Sequence, residues 1–330
     1  MKAHEQWPQV AVMGAGAVGC YYGGMLARAG APVTLIGRAA HVEAIRRDGL
    51  RFDGLNFREQ IPVAASTDSA AVRDAQLVLF CVKSTDTSAV AREIAPLVSP
   101  GALVVALQNG VDNPQRIAAE VTCPVVPAVV YVACAMAGPG HLRHTGRGDL
   151  VIGSLRGAMP APTAAQLARL AAWFEAAQVP CRVSDNVEGE LWGKLLINCT
   201  YNAISALGRA RYKRLTALAE TRALMRVVVL EVLAVARASA VSMPSGDWVE
   251  IALGLAASMP EATSSTAQDL ARGKRTEIDH LNGFLATRGA ALGVDTPVNR
   301  ALHALVKLAE DGLDLSRMVA TQPPPRRNFV

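Results

Sequence analysis

Residues 10–24 read VAVMGAGAVGCYYGG, and this stretch decides the fold. An apolar run of strand length enters Gly14, Gly16 and Gly19, spaced as GxGxxG, and a segment of helical length follows and ends at Gly30. The first glycine permits a tight turn, the second lets the backbone approach a pyrophosphate, and the third lets the helix pack closely on the strand. The helix amino terminus adds N–H donors for an anion. Glycine-rich turns are common, so the strand-turn-helix context carries the weight. It predicts a dinucleotide site built on Gly14, Gly16, Ala17, Val18 and Gly19.

Outward from this loop lie three more apolar runs: residues 31–38 (APVTLIGR), 75–84 (AQLVLFCVKS) and 101–110 (GALVVALQNG). Residues 87–98 form a helical segment between the last two. Apolar strands joined by helices imply a parallel sheet covered on both faces, a doubly wound α/β fold of Rossmann type. Such sheets bind ligands beyond the carboxyl ends of their strands. Arg38 stands at the tip of the second strand, where an NAD site offers Asp or Glu to the ribose, and a guanidinium suits a 2′-phosphate. This favours NADPH/NADP+. The loop alone also admits FAD, but no second segment for a flavin is evident. Lys83 and Asn109 stand at two other strand ends; Asn109 before Gly110 reads equally well as a turn residue.

From residue 123 to 153 glycine and proline separate strand-like runs, which read as antiparallel strands closing the sheet. The spacing predicts a helix over 163–178 and a last strand over 179–186. From about Asn186 the composition is helical, with Ala, Leu, Arg and Glu dominating. The expected division is a dinucleotide-binding domain over 1–185, an all-helical substrate and dimerisation domain over 186–320, and an unstructured tail over 321–330.

Residues 189–211, GELWGKLLINCTYNAISALGRAR, set Lys194, Asn198 and Asn202 four apart among apolar neighbours. A helix turns about 400° over four residues, so the three share one stripe. Either the stripe faces a cleft, or the lysine reaches solvent while the amides bond helix carbonyls. Downstream, Ser265 and Gln268 fit a capping box, which places Ser265 at a helix amino terminus beside Ser264. Glu277 follows Lys274 and Arg275 and could pair with them on the surface.

Six segments in order, GAGAVG, CVKS, LQNG, LWGKLLINCTYNAISAL, SSTAQDLARGKRTEIDHLNG and GVDTPVNRAL, give the chain from about Val10 to Ala309 a resemblance to the ketopantoate reductase (2-dehydropantoate 2-reductase) family. The resemblance implies an NADP-dependent oxidoreductase that reduces 2-dehydropantoate to (R)-pantoate in pantothenate and coenzyme A synthesis. It implies Lys194 as the catalytic lysine, with Asn198 and Asn202 as substrate-side amides. Asn109 falls beside the nicotinamide, Lys83 on the cofactor, and Ser265 and Glu277 on the substrate; Ser264 joins Ser265 as a carboxylate contact. A homodimer follows from family precedent. Two other readings stay open. A related reductase of another 2-oxo acid would use the same lysine chemistry, and a non-catalytic NADP sensor would be marked by loss of Lys194 or Glu277, both of which are present.

Composition bounds the remaining classes. The chain has 330 residues, about half of them apolar, enough for two domains without disulfide or metal staples. The formal charge of +5 is dispersed and accompanied by few aromatics, which argues against nucleic acid. The six cysteines include no CxxC pair and sit in apolar runs, as reduced thiols of a cytoplasmic protein do. The first residues, MKAHEQWPQ, are polar, so no signal peptide is expected, and Arg226, Glu231 and Arg237 interrupt the most apolar later stretch, so no membrane span is expected either. His141 and His144 have a loose metal-like spacing, but the glycines on both sides predict a hairpin surface and no metal is assigned.

Overall fold

The computed structural model describes residues 7–320, with side chains described to residue 312. The expected tail over 321–330 lies outside the described residues. The chain divides into two compact units, Met1–Leu191 and Trp192–Val330.

The first unit runs β1 (Val10–Met13), α1 (Ala17–Arg28), β2 (Val33–Ile36), α2 (Ala39–Asp48), β3 (Leu50–Asp53), β4 (Arg58–Ile61), β5 (Ala64–Ser66), β6 (Leu77–Phe80), α3 (Thr87–Ile94), β7 (Leu103–Ala106), α4 (Asn113–Ala118), β8 (Val125–Gly138), β9 (His141–Ile152), α5 (Ala164–Ala176) and β10 (Cys181–Val183). The strands form one sheet in the order β4-β3-β9-β8-β7-β6-β1-β2-β5, with β10 beside β9. β1 pairs in parallel with β2 and β6, and β6 with β7, as the apolar runs predict.

Alternation along each buried strand feeds two cores. Val10, Val12, Leu77, Leu79, Leu103 and Val105 face one side with Tyr22, Leu26 and Phe174. Ala11, Met13, Val78, Phe80, Val104 and Ala106 face the other with Ala91, Ile94 and Ile117. A fully buried side chain of this size contributes about 1.5–3 kcal/mol relative to exposure. The helix over 163–178 forms as α5, capped reciprocally by Thr163 and Gln166.

Three sequence expectations need correction. β8 begins parallel to β7, with Val104 opposite Val125, and only its later length pairs antiparallel with β9. The short helix α4, opened by Pro114, supplies the crossover that glycine-rich links could not. Nor does the sheet close at β9, because β3 pairs with it in parallel and β4 adds an antiparallel edge. His144 is likewise not on a hairpin surface. It is 9% exposed, its ring packed 4.5 Å from that of Tyr21 and its Nε2 bonded to the Arg147 carbonyl. Among the described residues, no group of three His, Cys, Asp or Glu side chains could hold a metal, and no helix is long and apolar enough to cross a membrane. The six cysteines are free. Burial pushes the thiols of Cys20, Cys134 and Cys181 up to about 12, so they stay protonated at neutral pH.

The second unit has helices and connecting loops but no strand among its described residues. The boundary between units falls within α6 (Val187–Leu207), followed by α7 (Tyr212–Ala217), α8 (Ala219–Ala238), α9 (Trp248–Ser258), α10 (Ser265–Ala271), α11 (Asn282–Ala291) and α12 (Pro297–Ala320). Met225, Val228, Val229, Val232 and Val235 make the buried face of α8, the spacing of an amphipathic helix.

Candidate active site

Parallel register brings Met13, Ile36, Phe80 and Ala106 into one row, so the segments after β1, β2, β6 and β7 leave the same edge of the sheet. The three glycines of the first segment have three separate reasons. Gly14 has φ +111, and a Cβ there would lie 2.8 Å from the Cys81 carbonyl carbon and the Val82 nitrogen. A Cβ on Gly19 would lie 2.1 Å from the Gly14 oxygen. A Cβ on Gly16 would meet nothing within 4 Å, so at this position the fold itself makes no demand for glycine. Helix α1 starts here with no side-chain cap and no acidic residue in its first turn, and its unpaired N–H groups suit a pyrophosphate. These residues fit a dinucleotide.

The tip of β2 is tied to that loop. The Ile36 carbonyl accepts from the N–H groups of Gly14 and Ala15 at 3.0 and 2.8 Å, and Arg38 follows, exposed, at the N-cap of α2. No carboxylate stands at this tip. The β6 and β7 ends are held by a buried polar cluster that sequence reasoning misses. Thr87 donates to Asn113 Oδ1 at 2.7 Å and accepts from Gln108 Nε2 at 2.6 Å. Ser84 and Asn113 Nδ2 both donate to the Asn109 carbonyl, at 3.0 and 2.5 Å. The Asn109 backbone is therefore fixed on both sides, with Gly110 at φ +95. The two readings of Asn109 are thus compatible, since a locked turn presents the side chain in one direction. Lys83 is exposed at the matching β6 end. The one local signal for this cluster is Asn113, four residues after Asn109.

In the second unit α6 forms as one helix across Lys194, Asn198 and Asn202. Lys194 and Asn198 are half-buried and Asn202 is 4% exposed. At 1.5 Å per residue the stripe is about 12 Å long, too long for all three groups to serve one oxygen. Its far end is built against α10: Asn202 Nδ2 donates to Ser265 Oγ at 3.3 Å. Because Ser265 Oγ accepts there, its own proton is turned to another acceptor.

The capping expectation is corrected by one residue. Ser264, not Ser265, caps α10, accepting from the Ala267 N–H at 3.1 Å. Its only proton goes to the Asn202 carbonyl at 3.1 Å, and it is 1% exposed. The Ser264 hydroxyl is thus spent inside the fold, while Ser265 is exposed. Glu277 is half-buried at the start of a single turn, Ile278–His280. Asp279, two residues on, receives His303 and Lys307.

Sequence reasoning also misses the polar spine under α6. Glu231, 8% exposed, accepts from the N–H groups of Val298 and Asn299 at 2.9 Å each and from Asn299 Nδ2 at 2.7 Å. Asn282 Nδ2 donates to Asn299 Oδ1 at 2.8 Å and to the Cys199 carbonyl at 3.1 Å. Glu231 thus caps α12 while the asparagines tie that cap to α6.

Comparison with known proteins agrees along nearly the whole chain. Residues 10–157 match the family model described as ketopantoate reductase PanE/ApbA, and residues 186–310 match its C-terminal counterpart. A protein named 2-dehydropantoate 2-reductase from Halobacterium salinarum is 36% identical, over 92% of this chain and 99% of the relative. The crystal structure of a PanE/ApbA family ketopantoate reductase from Ralstonia eutropha JMP134 superposes with a TM-score of 0.86 at 54% identity, covering 92% of this chain and 99% of that one. A 2-dehydropantoate 2-reductase from Geobacter metallireducens GS-15 gives 0.84 at 29% identity, covering 91% and 99%. With the glycine loop of the first unit and the lysine-asparagine stripe of the second both in place, the chain belongs to the ketopantoate reductase family.

Proposed function

We propose that the protein reduces 2-dehydropantoate to (R)-pantoate with NADPH, the reductive step toward pantothenate and coenzyme A. NADPH, when bound, supplies the hydride that adds to the keto carbon. The chain's own residues handle the charge that develops on oxygen as the ketone becomes an alcohol. Lys194 donates its ammonium proton to that oxygen and is reprotonated from water, so one ketone, one NADPH and one proton give one alcohol and NADP+. Asn198 and Asn202 donate to substrate oxygens without adding charge. The outward proton of Ser265 suits the carboxylate of a 2-oxo acid, and Glu277 accepts from the substrate hydroxyl. On the cofactor side, Gly14, Gly16, Ala17, Val18 and Gly19 cradle the pyrophosphate, Arg38 meets the 2′-phosphate, and Lys83 and Asn109 contact the nicotinamide half.

The observation that carries the reading is the Asn202–Ser265 hydrogen bond, because it ties Ser265 at the start of α10 to the helix that carries Lys194. The test follows NADPH absorbance with 2-dehydropantoate beside a panel of other 2-oxo acids. Turnover confined to 2-dehydropantoate supports the proposal; tight NADPH binding without that turnover would assign the site to another 2-oxo acid.

Cofactor choice has its own test. Arg38→Ala is expected to raise KM for NADPH about ten- to a hundredfold, the loss of one charge-assisted contact, while KM for NADH stays near its original value. Equal losses with both cofactors would remove the 2′-phosphate contact. A cytoplasmic location suits the free buried thiols. A homodimer is also part of the proposal, supported by Val227 and Leu230 on α8, which are 41% and 51% exposed.

A further inference from the structure

The segment that carries Glu277 is gripped from both sides by α12. Thr276, 3% exposed, donates both its backbone N–H and its hydroxyl to Glu310 Oε1, at 2.7 and 2.6 Å. The same hydroxyl accepts from the Ile278 N–H at 3.2 Å, and Ile278 is fully buried. Beyond Glu277, Asp279 accepts from His303 Nε2 at 2.7 Å and from Lys307 Nζ at 3.0 Å. Lys307 closes the ring by pairing with Glu310 Oε2 at 3.0 Å. His303, Lys307 and Glu310 fall at i, i+4 and i+7, so one face of α12 supplies all three.

These contacts differ in weight. The Asp279 pairs are half-exposed, and exposed ion pairs contribute little. Glu310 is 9% exposed and takes three donors, two of them from one residue. Burial alone would raise its carboxyl, but the bonds from Thr276 and Lys307 outweigh that and hold it below the usual range. Removing it leaves two buried donors on Thr276 without their acceptor. Glu277 itself, at φ −97 and ψ 22, opens the turn Ile278–His280 directly after Thr276.

The geometry points to Glu310 as a positioning residue for Glu277: by fixing Thr276 through two hydrogen bonds, it sets the direction in which the Glu277 carboxylate meets the substrate hydroxyl. This rests on the role proposed for Glu277, and the test separates the two. In the full-length protein, Glu310→Ala is expected to raise KM for 2-dehydropantoate about tenfold, with KM for NADPH unchanged. Glu310→Gln keeps an oxygen for both Thr276 donors and is expected to restore KM. In a Glu277→Ala background, Glu310→Ala is expected to add nothing, because its effect passes through Glu277.

An equal further loss in that background would overturn the inference, as would a Gln variant no better than Ala. If Glu277→Ala alone leaves kinetics intact, the Glu277 role fails, seen without any change at Glu310, and the inference falls with it. Should Glu310→Ala fold poorly, Thr276→Val removes the hydroxyl donor and Thr276→Ser keeps it. The expected result is a raised KM for Val only; equal values for both would overturn the inference.

Discussion

Lys194→Ala is expected to lower kcat by about a hundred- to ten-thousandfold, the range for removing a positioned acid, while NADPH binds as before. The substitution sits well in the helix, since alanine has the highest helix propensity and Lys194 lies mid-way along α6 between Gly193 and the buried Leu195. Loss of turnover would therefore report chemistry rather than unfolding, and an unchanged melting temperature checks this. NADPH affinity, read by fluorescence, should hold because the glycine loop and Arg38 are elsewhere in the chain. Lys194→Arg decides what the lysine supplies. A guanidinium keeps the charge but gives up no proton near neutrality. Turnover that stays low in the arginine variant identifies proton donation; turnover that returns identifies charge alone; and an alanine variant as active as the parent removes the lysine from the mechanism.

How much of this was legible in the sequence depends on whether the partner is local. The four central strands are visible because each is a short apolar run followed by glycine or a polar residue, and burial on both faces leaves no other composition. The stripe of Lys194, Asn198 and Asn202 is visible because its period is that of the helix. β3 and β4 are not, since Arg51, Asp53, Arg58, Glu59 and Gln60 give them the composition of a loop, and the pairing of β3 with β9 is settled by residues far along the chain. β4 is an edge strand, and edge strands carry such charges because an unpaired edge otherwise invites aggregation.

Glu231 and Glu310 fail for a related reason. Each stands on an amphipathic helix where glutamate is normally solvated, and each bonds residues distant in sequence, Asn299 in one case and Thr276 in the other. No local pattern distinguishes a buried carboxylate from an exposed one. The one-residue slip at Ser264 and Ser265 has a different origin. Both satisfy a serine-cap pattern, and the choice is made by the Asn202 carbonyl and the Ser205 hydroxyl on α6, which engage Ser264.

Gly16→Ala and Gly19→Ala, two residues of one motif, are expected to fail in opposite ways. At Gly19 the new carbon would stand 2.1 Å from the Gly14 oxygen and 2.9 Å from Val12 Cγ1. The oxygen is held in place, because it accepts from the Gly16 N–H at 2.8 Å and the Gly14 N–H is itself bonded to the Ile36 carbonyl at 3.0 Å. The helix must lift off the strand, at a cost of about 3 kcal/mol, the upper end for overpacking, and thermal unfolding should show it. At Gly16 the backbone is extended, at φ −86 and ψ −168, and the carbon would meet nothing within 4 Å. Alanine there is free of strain and restricts the unfolded chain, so stability should hold or rise by about 0.4–1 kcal/mol. NADPH affinity should nevertheless fall at least about tenfold, because the open space at Gly16 is where the pyrophosphate approaches the backbone. Gly16→Ala with undiminished NADPH affinity would mean that the phosphates lie elsewhere, and Gly19→Ala with undiminished stability would mean that α1 does not rest on β1 as closely as its glycine requires.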